Sequence, residues 1–121
     1  MKFREVDRQV TYAEQLDGDE GPIELINLFT MDIADVDLFL RVWSDDAAFM
    51  KRQPGFVRTQ LHRGTGGSAT FVNIATWESA TALRTAFTSP EFRAAVARYP
   101  HSVEAAPQVC TPVAVPGICT A

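Results

Sequence analysis

Asn73 is an amide in an otherwise apolar row. From Ala69 to Trp77 the residues alternate, with Ala69, Phe71, Asn73, Ala75 and Trp77 on one side and Thr70, Val72, Ile74 and Thr76 on the other. Asn27 is a second such amide, in a row with Ile23, Leu25, Phe29 and Met31. A buried amide must find hydrogen-bond partners, and a ligand can be one of them. Trp77 adds an indole N–H and a flat face for aromatic stacking. His62 has a reference pKa near neutrality and can take a proton. Arg93 can balance an anion. Together these residues could hold an aromatic molecule, accept a proton from it and donate hydrogen bonds to the oxyanion that results.

Each residue also has a plainer account. Asn73 could satisfy a strand irregularity, and Trp77 could be core, or both core and site. Trp43 is a core residue of a long helix or a wall of the pocket. Arg93 without other context is a solvated charge, and His62 beside a glycine loop is a surface residue. Asp45-Asp46 reads as a solvated helix face.

Which of these side chains meet depends on the hairpin between the two central strands. Phe56 to Arg63 reads as one strand and Ala69 to Trp77 as the next. Between them Gly64-Thr65-Gly66-Gly67-Ser68 supplies the φ > 0 positions of a turn. With Gly64 to Gly67 as the loop, Arg63 pairs with Ser68 and His62 with Ala69. Arg58 then faces Asn73, and Arg58, Gln60 and His62 line the face of Asn73 and Trp77; a bulge reverses this. The face that this register assembles, together with what a family resemblance implies, makes Asn73, Trp77 and His62 the candidates for chemistry and Arg93, Asn27, Arg58, Phe71 and Trp43 those for substrate binding.

The positioning elements follow from periodicity. Pro22 to Met31 is the first strand. Asp32, with Asp35 in capping-box spacing, opens a helix over Ile33 to Arg52. Its Val36, Phe39, Leu40, Trp43, Ala47 and Met50 recur at three and four residues. Pro54-Gly55 ends it. Ser79 caps a helix to Thr88, Ser89-Pro90 restarts it, and Pro100 stops it. A last strand is expected over Gln108 to Val115, at an edge because of Pro107, Pro112 and Pro116. The order β-α-β-β-α-β predicts an α+β fold of the ferredoxin-like kind, a four-stranded antiparallel sheet with both helices on one face. The other face carries Ile26, Leu28, Val57, Leu61, Val72 and Ile74, and a second copy of the sheet is its simplest cover. Residues 1–21 form an extension that lies on a partner subunit or is partly disordered, 22–116 the domain, and 117–121 a loose tail.

The chain has 121 residues, enough for one core, with 46% hydrophobic and 21% charged residues. A net charge of -4 with no basic patch argues against nucleic acid and anionic membranes as partners. Cys110 and Cys119 lack metal-site spacing. The start, MKFREVDRQV, is charged where a signal peptide is apolar, and no window could span a bilayer, so a soluble, cytoplasmic protein is expected.

The motifs PGF, a polar strand with a histidine, VNIATWES and then SPEFR resemble the antibiotic biosynthesis monooxygenase family of dimeric α/β-barrel proteins, over roughly Pro22 to Val115. The resemblance is nearest to the cofactor-free oxygenases of aromatic polyketide pathways. It implies a homodimer with sheets face to face, a pocket in each subunit between sheet and helices, no cofactor, an aromatic small-molecule substrate and O2. Asn73 and Trp77 match the amide and indole of that pocket, His62 a histidine near the end of the second strand, and Arg93 an arginine on the last helix. One departure is Leu83, where those oxygenases carry a tyrosine. The haem-degrading branch is disfavoured, because Ala86 and Val96 stand where it has a tryptophan and a histidine, leaving iron without an axial ligand.

Dioxygen is a triplet and reacts poorly with closed-shell molecules, so a protein without metal or flavin must bind a substrate that is easily deprotonated. The implied function is oxidation of an anthrone-like polyketide or polyphenol to a quinone. A cyclase or isomerase of the same fold, or a non-catalytic polyketide-binding accessory subunit, is the alternative that Leu83 favours.

Overall fold

The computed structural model describes residues 1–18 and 21–121. The chain runs β1 (Lys2–Phe3), α1 (Tyr12–Gln15), β2 (Ile23–Thr30), α2 (Val36–Lys51), β3 (Phe56–Arg63), β4 (Thr70–Trp77), α3 (Ala80–Phe87), α4 (Pro90–Arg98) and β5 (Glu104–Cys110). The sheet order is β1-β5-β2-β4-β3. Its four long strands are antiparallel neighbours, as a ferredoxin-like arrangement requires. β1 adds a short fifth strand, parallel to β5. Among the described residues no helix is long and apolar enough to cross a membrane.

The local signals explain the helices. The Ser79 hydroxyl accepts from the Ala82 N–H at 3.1 Å and the Ser89 hydroxyl from the Phe92 N–H at 3.2 Å, so each caps its helix. Pro90 takes the first turn of α4, where no N–H is needed. The expected Asp32 cap is not used. Asp32 donates its N–H to the Ser102 hydroxyl at 3.1 Å, and that hydroxyl donates to Asp35 Oδ2 at 2.6 Å. A serine far along the chain takes the Asp35 carboxylate, and residues Ile33–Asp35 wind as a 3-10 turn ahead of α2.

Two expectations need correction. The last strand lies earlier than Gln108 to Val115, and Pro107 is inside it. Ala105 O accepts from the Arg4 N–H at 2.8 Å, and the Val109 N–H donates to Gln15 Oε1 at 3.0 Å. Pro107, midway between them, therefore turns its missing N–H to the outer edge, where no ladder bond is lost. The N-terminal segment does not stand apart. Tyr12 and Leu16 are buried in one core cluster, and Met1 packs against the other. Within the exposed tail, Val115 and Cys119 close a local bridge around Gly117, whose φ is +79°.

The hairpin register also differs. Arg63 pairs with Phe71 and Leu61 with Asn73, because the loop takes more residues than four. Gly66 and Gly67 have φ of +73° and +77°, and the Ser68 hydroxyl accepts from the Thr70 N–H at 3.0 Å. Gly64 N–H closes the loop on Thr70 O at 2.8 Å. The shift is an odd number of residues, so the β3 side chains from Arg58 to Arg63 change face. A bulge between Phe56 and Arg58 then lets Phe56 and Thr59, three apart, both face the helices. Leu61 consequently packs in the helix-side core and leaves the opposite face.

That core has two halves. Leu25, Ala75, Trp77 and Leu83 belong to one, and Phe29, Phe39, Phe71 and Tyr99 to the other. On β2 and β4 the boundary between the halves is Asn27 and Asn73.

Candidate active site

Asn27 and Asn73 are direct cross-strand partners. Side chains so paired lie about 5 Å apart at Cβ. They form the floor of an inner cavity of about 60 Å³ between the sheet and α2. The Thr59 hydroxyl donates to Asn73 Oδ1. With its oxygen taken, the Asn73 amide has its Nδ2 donors left for the cavity. Asn27 Oδ1 is buried and has no partner among the described residues. The floor thus offers a donor and an unpaired acceptor side by side.

The roof comes from α2. Trp43, Asp46 and Met50 face the two amides across the cavity. Tyr99 donates its hydroxyl to Asp46 Oδ2 at 3.0 Å, and Asp46 Oδ1 is buried without a partner among the described residues. Burial raises the Asp46 pKa from 3.8 to about 6, against the opposing pull of the Tyr99 hydrogen bond. This carboxyl is poised to change charge near working pH, as a general base requires.

Asp46 overturns the expectation of a solvated Asp45-Asp46 pair. Only Asp45 is solvated, in an exposed pair with Arg98 at 2.8 Å. The signal was available: Asp46 lies three residues after Trp43, seven after Phe39 and four before Met50, on the apolar stripe of α2.

The other proposed site residues divide. Trp77 and Trp43 line the inner cavity with the two amides. Phe71 is on the expected face but buried in the neighbouring core, its ring 5.0 Å from that of Phe39. The corrected register puts Arg58 and His62 on the opposite face of the sheet, where they pair with Thr76 and Val72. Both are exposed, and Arg58 lies 3.8 Å from Glu24. Neither reaches the cavity.

Arg93 lines a second, outer cavity of about 470 Å³ between the N-terminal segment and α3, α4 and β5. Phe87 and Phe92 line both cavities. Tyr12 lines the outer one, and nothing in the weak periodicity of the first residues marked it. Among the described residues no three His, Cys, Asp or Glu side chains gather where a metal ion could be held.

A ferredoxin-like sheet with a polar notch between its two core halves is a scaffold shared by many small enzymes. Comparison with known proteins narrows it: residues 22–98 match the antibiotic biosynthesis monooxygenase family, and the chain belongs to that family. Deoxynogalonate monooxygenase of Streptomyces nogalater is 39% identical over 77 residues, which cover 64% of this chain. The match spans 63% of the length of that relative. The crystal structure of SnoaB, a cofactor-independent oxygenase from Streptomyces nogalater, superposes with a TM-score of 0.69 at 28% identity, covering 81% of this chain and 99% of that one. Rv0793 from Mycobacterium tuberculosis shares the fold, with a TM-score of 0.68 at 16% identity over 79% of this chain and 99% of its own.

Proposed function

We propose that this protein is a cofactor-independent monooxygenase that oxidises an anthrone-like polyketide or polyphenol to a quinone with dioxygen. The carrying observation is the polar cluster in the apolar inner cavity: the Asn73 donor, the unpaired Asn27 acceptor, and the buried Asp46 carboxyl across from them. The names of the Streptomyces nogalater matches support the same reaction class.

The net change converts a ring CH2 and O2 into a carbonyl and water. Asp46, as carboxylate, takes one C–H proton. The negative charge moves onto a ring oxygen, where the Asn73 Nδ2 group donates to it in a site that excludes water. Asn27 Oδ1 accepts from a neighbouring substrate hydroxyl and fixes the ring. The anion passes one electron to O2, and the two radicals combine to a peroxide. Asp46 returns its proton to that peroxide. Loss of the second C–H proton and of hydroxide, which join as water, leaves the carbonyl.

The same base and amides would serve a cyclase or isomerase, which needs no oxygen. Leu83, only 1% exposed in the core beside Trp77, brings no phenol to the site and keeps that second reading in view. An oxygen electrode with a panel of anthrones and naphthols separates the two. The monooxygenase consumes one O2 per quinone formed. A rearranged product without oxygen uptake would transfer the site to isomerase chemistry.

A further inference from the structure

The inner cavity is too small for such a substrate. An apolar cavity of about 150 Å³ takes a single benzene ring, and ligand sites run from about 300 to 1,000 Å³. The inner cavity has about 60 Å³, whereas the outer has about 470 Å³. The linings of the two share only Phe87 and Phe92, whose tilted rings have centroids 4.6 Å apart. Two side chains therefore stand between a polar notch with no room and a roomy apolar cavity next to it.

The far side of that partition is built by the N-terminal segment. Tyr12 packs edge-on against Phe87 at 5.0 Å, and Phe3 does the same at 5.8 Å. The segment is held at several points: Lys2 N–H donates to Val103 O at 2.9 Å, Arg4 N–H to Ala105 O at 2.8 Å, and Gln15 Oε1 receives Val109 N–H. These residues precede the stretch that matches the family.

The Tyr12 hydroxyl is buried and has no hydrogen-bond partner among the described residues. Its ring shares a core cluster with Leu25, Trp77 and Leu83, all of which line the inner cavity. A buried hydroxyl left unpaired is costly, and a ligand oxygen that accepts from it removes that cost. Burial holds this phenol well above the usual tyrosine range, so it is a donor at any working pH and not a base. Arg93, exposed on the same outer cavity, makes no ion pair among the described residues.

We propose that the two cavities are halves of one substrate site, parted in the free protein by Phe87 and Phe92, and that the N-terminal segment walls it, with the Tyr12 hydroxyl donating to an oxygen of a polycyclic aromatic substrate. This rests on the oxygenase reading of the inner site. The reacting ring enters the notch over Asn27 and Asn73 when the two phenylalanines part. The remaining rings occupy the outer cavity.

The test is isothermal titration calorimetry of the full chain with 1,8-dihydroxyanthraquinone, a three-ring probe, and catechol, a one-ring probe. Tyr12→Phe removes only the unpaired hydroxyl. It should weaken the three-ring probe about tenfold while the melting temperature stays level or rises; a purely structural Tyr12 would lower the melting temperature and leave affinity alone. Ala13→Trp, on the exposed lining of the outer cavity, should weaken the three-ring probe and spare catechol. If Asn73→Ala weakens binding while both segment variants bind as wild type, this inference falls and the oxygenase reading stands. If wild type binds neither probe, both fall.

Discussion

At the residue scale, the site turns on which polar groups are left unpaired inside an apolar space. Removing one preorganised donor to a developing oxyanion costs about 3 kcal/mol, on the order of a hundredfold in rate. Asn73→Ala should lower the chemical rate by that order, with folding intact by circular dichroism. His62→Ala should change it less than about twofold, the expected result for an exposed residue on the far face. Stopped-flow traces at saturating substrate separate the two. Asp46 supplies a pH signature. Its folded pKa of about 6 lies above the ordinary 3.8, so the folded chain binds this proton more tightly than the unfolded one. The resulting stability is fully present below 3.8 and is lost as pH rises through about 6. The difference is worth up to roughly 3 kcal/mol. Asp46→Asn should therefore be the more stable protein at pH 8, with the gap closing toward pH 4, in urea unfolding at each pH. The same variant should lose the rise of kcat/KM through pH 6. The amides and Trp77 were legible because each broke or anchored a strict alternation. Asp46 was not, because its acidic neighbour Asp45 makes the pair look solvated, and only the helical stripe separates them.

At the scale of elements, the joint after α2 carries the most constraint per residue. Gly55 has a φ of +87°, and a Cβ there would sit 2.4 Å from the Cβ of Ala82 on α3. Its carbonyl accepts the Glu78 N–H at 2.8 Å, tying the start of β3 to the end of β4. Gly55→Ala meets both a backbone penalty and a clash between fixed atoms, for a loss of about 2–4 kcal/mol. A urea midpoint within error of wild type would contradict that packing. The Pro-Gly end of α2 and the serine caps of α3 and α4 could be read from local chemistry, since a cap or a proline acts within one turn. The hairpin register and the bounds of β5 could not. The register was set by bonds inside the loop, and β5 by Arg4 and Gln15 arriving from the start of the chain.

For the whole molecule, the ferredoxin-like order was readable because its helices and strands differ so plainly in period, whereas the docking of the N-terminal segment depended on contacts spanning nearly the whole chain. The outer face of the sheet remains unpartnered within one subunit. Ile26 is 36%, Ile74 39% and Val57 48% exposed there, with Leu28 and Val72 half-buried between them. We propose that a second copy covers this face, making a homodimer. A charge at the centre of such a contact is costly to bury. Ile74→Glu should sediment as a folded monomer at concentrations where wild type is a dimer. A monomeric wild type at micromolar concentration would remove the proposal.

Trp43 and Trp77 are the only two tryptophans of the chain, and both line the inner cavity. The protein's ultraviolet emission is therefore a report from that one small space. Trp77, 2% exposed and edge-on to Phe56 at 5.4 Å, should emit at short wavelength, and Trp43, half-buried on α2, at a longer one. A coloured quinone formed a few ångströms away would accept their excitation and darken both. Each turnover would then be visible as a dip and recovery of intrinsic light, with product departure timed directly and no label attached.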